Sequence, residues 1–216
     1  MNKLLDHFER FALLALEKQD KLSAAVGEHF FEFDLDSGKA LLGGGLECFV
    51  QVLGTQSDNT LTWLWAWAEE QAEVPEALIA SAMELREWGA RQGVPEFTEP
   101  QIDLDRADGT MIAMIATEVT RASCFYRDAY DGGALYLLLT GDAIDRQAPL
   151  NAHRLAGHLK ELAAEHEIDP RNALLSYLRA KGIPFTEEGT TVGCLLADGE
   201  EFRMEFDEQG RLLGDE

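Results

Sequence analysis

Gln51-Val-Leu-Gly-Thr-Gln-Ser-Asp-Asn-Thr-Leu-Thr-Trp-Leu-Trp-Ala-Trp-Ala68 is the stretch on which the fold turns. It reads as strand, turn and strand. Ser57-Asp-Asn59 supplies the turn residues, and Trp63, Trp65 and Trp67 then recur at a spacing of two. In a strand that spacing puts all three indoles on one face. Such a face either builds a core or holds something flat and apolar. Helices expected over residues 1–25 and 76–92 need bulky residues beneath them, and Trp88 is a natural packing partner, so core is the favoured reading. The rival is a ligand surface formed by Trp63, Trp65 and Trp67, with Glu69 and Glu70 at its rim and the indole N–H groups fixing orientation.

Upstream, Leu4, Phe8, Phe11, Ala12 and Ala15 have the three-and-four spacing of an amphipathic helix that ends before Gly27. Phe30–Leu35 and Ala40–Leu42 flank the turn-forming Asp36-Ser-Gly-Lys39 and predict a hairpin. Gly43-Gly-Gly45 allows a bulge or wide turn before a strand over Leu46–Leu53. With the tryptophan strand this makes an antiparallel meander of about four strands. Downstream, Pro75 suits the first turn of a second helix striped by Leu78, Ile79, Ala82, Leu85 and Trp88, which Gly93 and Pro95 stop. A third helix is expected from Asp108 to Arg121, with Met111, Ile112, Ile115 and Val119 inward. Cys124–Ala129 and Ala134–Thr140 form a further hairpin around Tyr130-Asp-Gly-Gly133.

The polar segment Gly141–Pro149 is the best candidate boundary. Beyond it, residues 150–167 predict a helix, and Asp169-Pro170 caps and starts another that ends at Gly182 and Pro184. The tail from Thr190 to Leu213 alternates through Asp198-Gly199 and Glu208-Gln-Gly210, which predicts two or three short strands. Strands and helices arrive in blocks, so the expected class is α+β: an antiparallel β-meander packed against helices, with a C-terminal helix-helix-hairpin extension. Residues 1–141 form the main domain in this reading. Residues 150–216 have too few apolar residues to stand alone and are expected to pack on it.

The chain has 216 residues, 46% of them hydrophobic, and a formal charge of −22. A chain of this length buries roughly 70% of its unfolded surface and folds without staples. Its acidic residues run from Asp6 to Glu216, a field that repels phosphate backbones and anionic headgroups. Nucleic acid and membrane are therefore excluded as direct partners, and a basic protein or a second copy of the chain is favoured. Cys48, Cys124 and Cys194 are odd in number and far apart, and each lies in a strand-like run. They read as free buried thiols in a reducing compartment. The opening Met1–Arg10 is broken by Asp6, Glu9 and Arg10, unlike a signal peptide, and no apolar run spans a bilayer. The expected location is the cytoplasm.

Signatures of chemistry are weak throughout. His153 and His158 are five apart and diverge on a helix, His158 and Glu161 read as a surface pair, and His166 reads as a helix-end dipole partner. Asp103-Leu-Asp-Arg-Ala-Asp-Gly109 alternates carboxylates like a calcium loop, but its glycine is misplaced and Met114 stands where a bidentate glutamate is needed. A helix-capping Asp108 explains it better. There is no nucleophile elbow and no phosphate loop. No catalytic residue, metal or cofactor is assigned.

The run Val52-Leu-Gly-Thr55 through Trp63–Ala68, then Glu84-Leu-Arg-Glu-Trp-Gly89 and Ala122-Ser-Cys-Phe-Tyr-Arg127, resembles a bacterial family of unknown function. Its marks are a Gly-Thr turn, alternating tryptophans, a helix, and a Tyr-Arg strand before a glycine turn like Asp131-Gly-Gly133. The resemblance covers about residues 1–140. Where the family motif continues into asparagine, this chain has Glu69. The resemblance implies no activity, cofactor or site, and it supports treating 150–216 as an extension. The functional expectation is a non-catalytic protein that binds another protein through an acidic surface; the alternative is a small-molecule binder or enzyme using the tryptophan face.

Overall fold

A computed structural model describes residues 2–26, 31–34, 37–68 and 74–213. Phe30, Leu35 and Asp36 of the expected first hairpin, and the rim residues Glu69 and Glu70, lie outside the described residues. The fold is α+β, with antiparallel sheets and a pair of C-terminal helices. The chain divides into two compact units, residues 18–147 and residues 1–17 with 148–216. The second division falls inside the polar segment Gly141–Pro149.

The unit of residues 18–147 takes the last nine residues of helix α1 (Lys3–Val26) and then β1 (Phe31–Asp34), β2 (Lys39–Leu42), β3 (Leu46–Ser57) and β4 (Thr62–Trp65). Helix α2 (Ala80–Gln92), β5 (Gln101–Asp103), α3 (Gly109–Val119), β6 (Cys124–Tyr130), β7 (Gly133–Thr140) and the single turn α4 (Asp142–Asp145) complete it. The meander β1-β2-β3-β4-β5 is antiparallel throughout. What the sequence did not foretell is that the hairpin β6–β7 joins the same sheet, with β7 lying along β3. Phe49 pairs with Lys39 on one side and Thr140 on the other, and Gly54 likewise with Trp65 and Tyr136. Strands β2 and β4 therefore share one edge of β3, and β7 holds the other. The register shifts between Val52 and Gly54, a bulge that increases local twist.

Several local expectations change. The Gly54-Thr55 pair lies inside β3 and is not a turn. Strand β4 ends at Trp65, so Trp67 sits in the turn that follows. Pro75 precedes a 3₁₀ turn, Glu76–Leu78, and α2 starts only at Ala80. Strand β5 was missed because three residues reading Gln-Ile-Asp carry too little pattern. Helix α3 is buried on more than one stripe, with Ile112, Ala113, Met114, Ile115, Ala116 and Thr117 all enclosed, while Met111 and Val119 are half-buried. Asp108 caps it, accepting the Met111 N–H at 2.7 Å. Gly93 closes α2 in the left-handed conformation, as its position before Pro95 foretold.

The other unit combines residues 3–17 of α1 with α5 (Ala152–Glu165), α6 (Pro170–Lys181), β8 (Phe185–Glu188), β9 (Thr191–Leu195) and β10 (Glu201–Glu205). Asn151 caps α5 and Asp169 caps α6, accepting the Arg154 and Asn172 N–H groups at 2.9 and 3.0 Å. Leu4, Phe8 and Leu13 of α1, Leu155 and Leu159 of α5, Leu174 and Leu178 of α6, and Val192, Phe202 and Met204 of the sheet are buried. Polar contacts tie α1 to α6. Glu9 accepts the Asp169 N–H at 2.8 Å, and the buried Glu17 accepts from Tyr177 Oη at 2.6 Å and pairs with Lys181 at 2.8 Å. The expected C-terminal hairpin gains a third strand, β8, in the order β10-β9-β8.

Candidate functional site

Trp63 and Trp65 are completely buried. Their rings meet edge to face at 5.4 Å, so no flat slot opens between them. The Trp65 Nε1 donates to the Glu96 carbonyl at 2.9 Å. Phe97 lies 5.4 Å from both Trp65 and Trp88, so Trp88 reaches the cluster through Phe97. Trp63 leans over Gly54 towards Tyr136, 5.4 Å away. A Cβ at Gly54 would come within 2.5 Å of the Trp63 ring and of the Leu64 carbonyl. The family-like glycine is thus explained by close approach. Trp67 stacks on Trp65 at 6.1 Å and carries the Arg86 guanidinium 4.5 Å from its ring centre. The indole N–H groups of Trp63 and Trp67 are buried with no acceptor among the described residues. The structure therefore brings the three tryptophans together as a cluster wrapped around the end of β4, with Trp67 alone partly exposed.

A second cluster fixes the start of α3. The Gln56 amide accepts the Gly109 N–H at 3.0 Å and donates to Asp58 at 2.9 Å. The Tyr136 hydroxyl lies 3.2 Å from the Thr110 hydroxyl and accepts from Arg127 Nε at 3.2 Å. Tyr136 is buried, and a Cβ at Gly109 would strike its ring at 2.5 Å. These partners hold one another. Arg127 of the Tyr-Arg strand was visible in the sequence, whereas Gln56, Thr110 and Tyr136 carry no spacing signal.

The remaining candidate is the outer face of the β8–β9–β10 sheet. Register places three rows on it: Glu188, Thr191 and Glu205; Thr186, Gly193 and Arg203; Leu195 and Glu201. Val192, Phe202 and Met204 point the other way, into the core. A depression of about 390 Å³ lies over the middle row. Leu195 is 60% exposed there. Glu188, Glu201 and Glu205 are exposed and make no ion pair among the described residues. The edge residue Glu187 is bonded to Arg171. None of these residues was singled out from sequence, although the alternation Glu201-Phe-Arg-Met-Glu205 is itself the signature of a half-buried strand.

The other sequence candidates are accounted for by packing. His158 lies 3.7 Å from Glu161, and His166 meets Phe8 edge to face at 4.6 Å. Among the described residues no group of three His, Cys, Asp or Glu side chains could hold a metal ion. Arg106, within the calcium-like run, turns to Glu99 and Glu96 at 2.5 and 3.1 Å and holds the Glu99 carboxyl below the usual carboxylate range. All three cysteines are free; Cys48 and Cys124 are buried, whereas Cys194 is half-buried and so less enclosed than expected. Burial pushes the Cys48 thiol up to about 11 and that of Cys124 higher still, so neither is a thiolate near neutral pH.

The model of a family of unknown function, DUF6882, matches residues 5–142, more than half of the chain. The chain belongs to this family. The DUF6882 segment contains the tryptophan cluster and the α3 network, while the open face of the β8–β10 sheet lies beyond it. No curated protein and no solved structure matches the chain. Among the described residues, no helix is long and apolar enough to cross a membrane.

Proposed function

We propose that this DUF6882 protein is a non-catalytic cytoplasmic binding protein that docks a basic partner protein through its acidic surface. The observation that carries this reading is the set of exposed carboxylates on the C-terminal sheet, Glu188, Glu201 and Glu205, which make no ion pair among the described residues of a chain of net charge −22. Exposed unpaired carboxylates attract cations over about 8 Å at physiological ionic strength, which makes the association sensitive to salt. The free cysteines are in keeping with a reducing compartment.

A second reading draws support from the buried indole N–H groups of Trp63 and Trp67, which lack acceptors among the described residues. A small molecule beside Trp67 that accepts a hydrogen bond would satisfy such a donor. Trp63 and Trp65 are enclosed, so this ligand would touch the cluster only at Trp67.

Native mass spectrometry of protein purified untagged at low salt from its own host separates the two readings. A co-purifying basic protein that leaves as salt is raised supports the first. A reproducible extra mass of a few hundred daltons replaces it with the second, and a bare chain at every salt concentration counts against both.

A further inference from the structure

Gly193 is the anomaly of the C-terminal sheet. Glycine weakens a strand interior and is found there at a bulge, a sharp bend or a place where another backbone comes close. The register of β9 with β8 and β10 is unbroken around Gly193, and its φ lies outside the left-handed region. A Cβ there would meet the Thr186 hydroxyl at 3.3 Å, the Arg203 stem at 3.7 Å and the Phe202 carbonyl at 3.9 Å; the first is tight, but Thr186 is exposed and a small turn of its side chain makes room, so packing does not demand glycine. Close approach from outside is the remaining explanation. The dent it leaves is flanked by Leu195 and the aliphatic stem of Arg203, with carboxylates at either end.

We infer that this face receives an extended segment of the partner protein, bearing lysine or arginine at positions i and i+4 and an apolar residue at i+2. The inference rests on the acidic-docking reading above and names its site. Glu201 and Glu205 are four residues apart on one face of β10, about 13 Å along the strand. A segment running alongside in extended conformation repeats on the same length. Its two cations meet the two carboxylates, and its central side chain sits over Gly193. The Arg203 guanidinium, between the two glutamates, repels a third cation at i+2. A second copy of this chain is disfavoured, because Glu188, Glu201 and Glu205 would face their own kind.

The test uses the full chain and the fluorescein-labelled peptide Thr-Lys-Thr-Val-Thr-Lys-Thr, read by fluorescence anisotropy at low salt. Controls are an isomer with adjacent lysines, a version with glutamates for lysines, and polylysine. The patterned peptide is expected to bind at least tenfold more tightly than either short control. Gly193→Val and the double variant Glu201→Lys/Glu205→Lys should each weaken it at least tenfold, whereas Glu76→Lys/Glu84→Lys, the same charge change made in the other unit, should change it less than twofold. The Tm of Gly193→Val should hold or rise, since valine suits a strand; should it fall, the double variant at exposed positions decides. If the isomer binds equally well, or Glu76→Lys/Glu84→Lys weakens binding as much as the double variant does, the site is wrong. Polylysine binding that persists would then leave acidic docking standing, and its loss would remove both. Self-association that Gly193→Val abolishes would assign the face to a second copy and overturn the inference.

Discussion

The tryptophan cluster around β4 and the sheet β8–β9–β10 treat strand faces in opposite ways. In the first, the most expensive side chains of the chain are turned inward: Trp63, Trp65 and Tyr136 are enclosed, and Gly54 is small so that an indole can cross it. In the second, only one face is used for packing, and the other keeps a leucine, three carboxylates and a glycine in the open. Both regions contain a strand glycine. At Gly54 a Cβ would strike the Trp63 ring at 2.5 Å, whereas at Gly193 the nearest atom is the exposed Thr186 hydroxyl at 3.3 Å. A conspicuous aromatic pattern is thus mostly enclosed here, whereas a plain alternating strand leaves one of its faces exposed.

The sharpest way to break this contrast is Trp65→Ala. It should cost about 3–5 kcal/mol, because an indole with 0% exposure leaves a large cavity. Urea denaturation measures it, and near-wild-type stability would return the tryptophans to the status of a binding face. Glu17→Ala in the other unit removes the partner of the buried Tyr177 hydroxyl and of Lys181, and should cost about 2–3 kcal/mol in the same assay.

The Tyr177 contact also predicts a pH dependence. Burial first, then the Glu17 carboxylate, raises the Tyr177 phenol above its ordinary 10. The folded pKa is the higher one, so this contribution is intact below about pH 10 and is lost as pH rises beyond it. Denaturation midpoints between neutrality and alkaline pH should fall less steeply for Tyr177→Phe than for the unaltered chain. Asp108→Ala and Asp169→Ala test one helix cap in each unit and should each cost about 1 kcal/mol by thermal or chemical unfolding. Smallest of all, Leu195→Ser on the open face should stay within about 0.5 kcal/mol of the parent. A larger loss would mean that the face is part of a core.

Much of the local structure was legible because its causes are local. Asp108 and Asp169 announce helix starts, Gly93 and Gly182 helix ends, and Asp131-Gly132 a tight hairpin, each by its own dihedral or capping chemistry. Strands β5 and β8 were not foreseen, since one has three residues and the other exposes Thr-Glu-Glu in series. The candidate site was the least legible. Trp63, Trp65 and Trp67 drew attention because they are rare and regularly spaced, whereas Gly193, Glu201 and Glu205 look ordinary until register puts them on one face.

By itself the sequence determined the α+β class, the helices and their caps, the acidity and the free thiols, because propensity, capping and charge act over a few residues or over the whole composition. Tertiary structure decided that β7 pairs with β3, that β4 stops at Trp65, that Glu17 lies between Tyr177 and Lys181, and that one face of β8–β10 stays bare. Those outcomes depend on contacts between residues far apart in the chain, whose pairing no local pattern encodes.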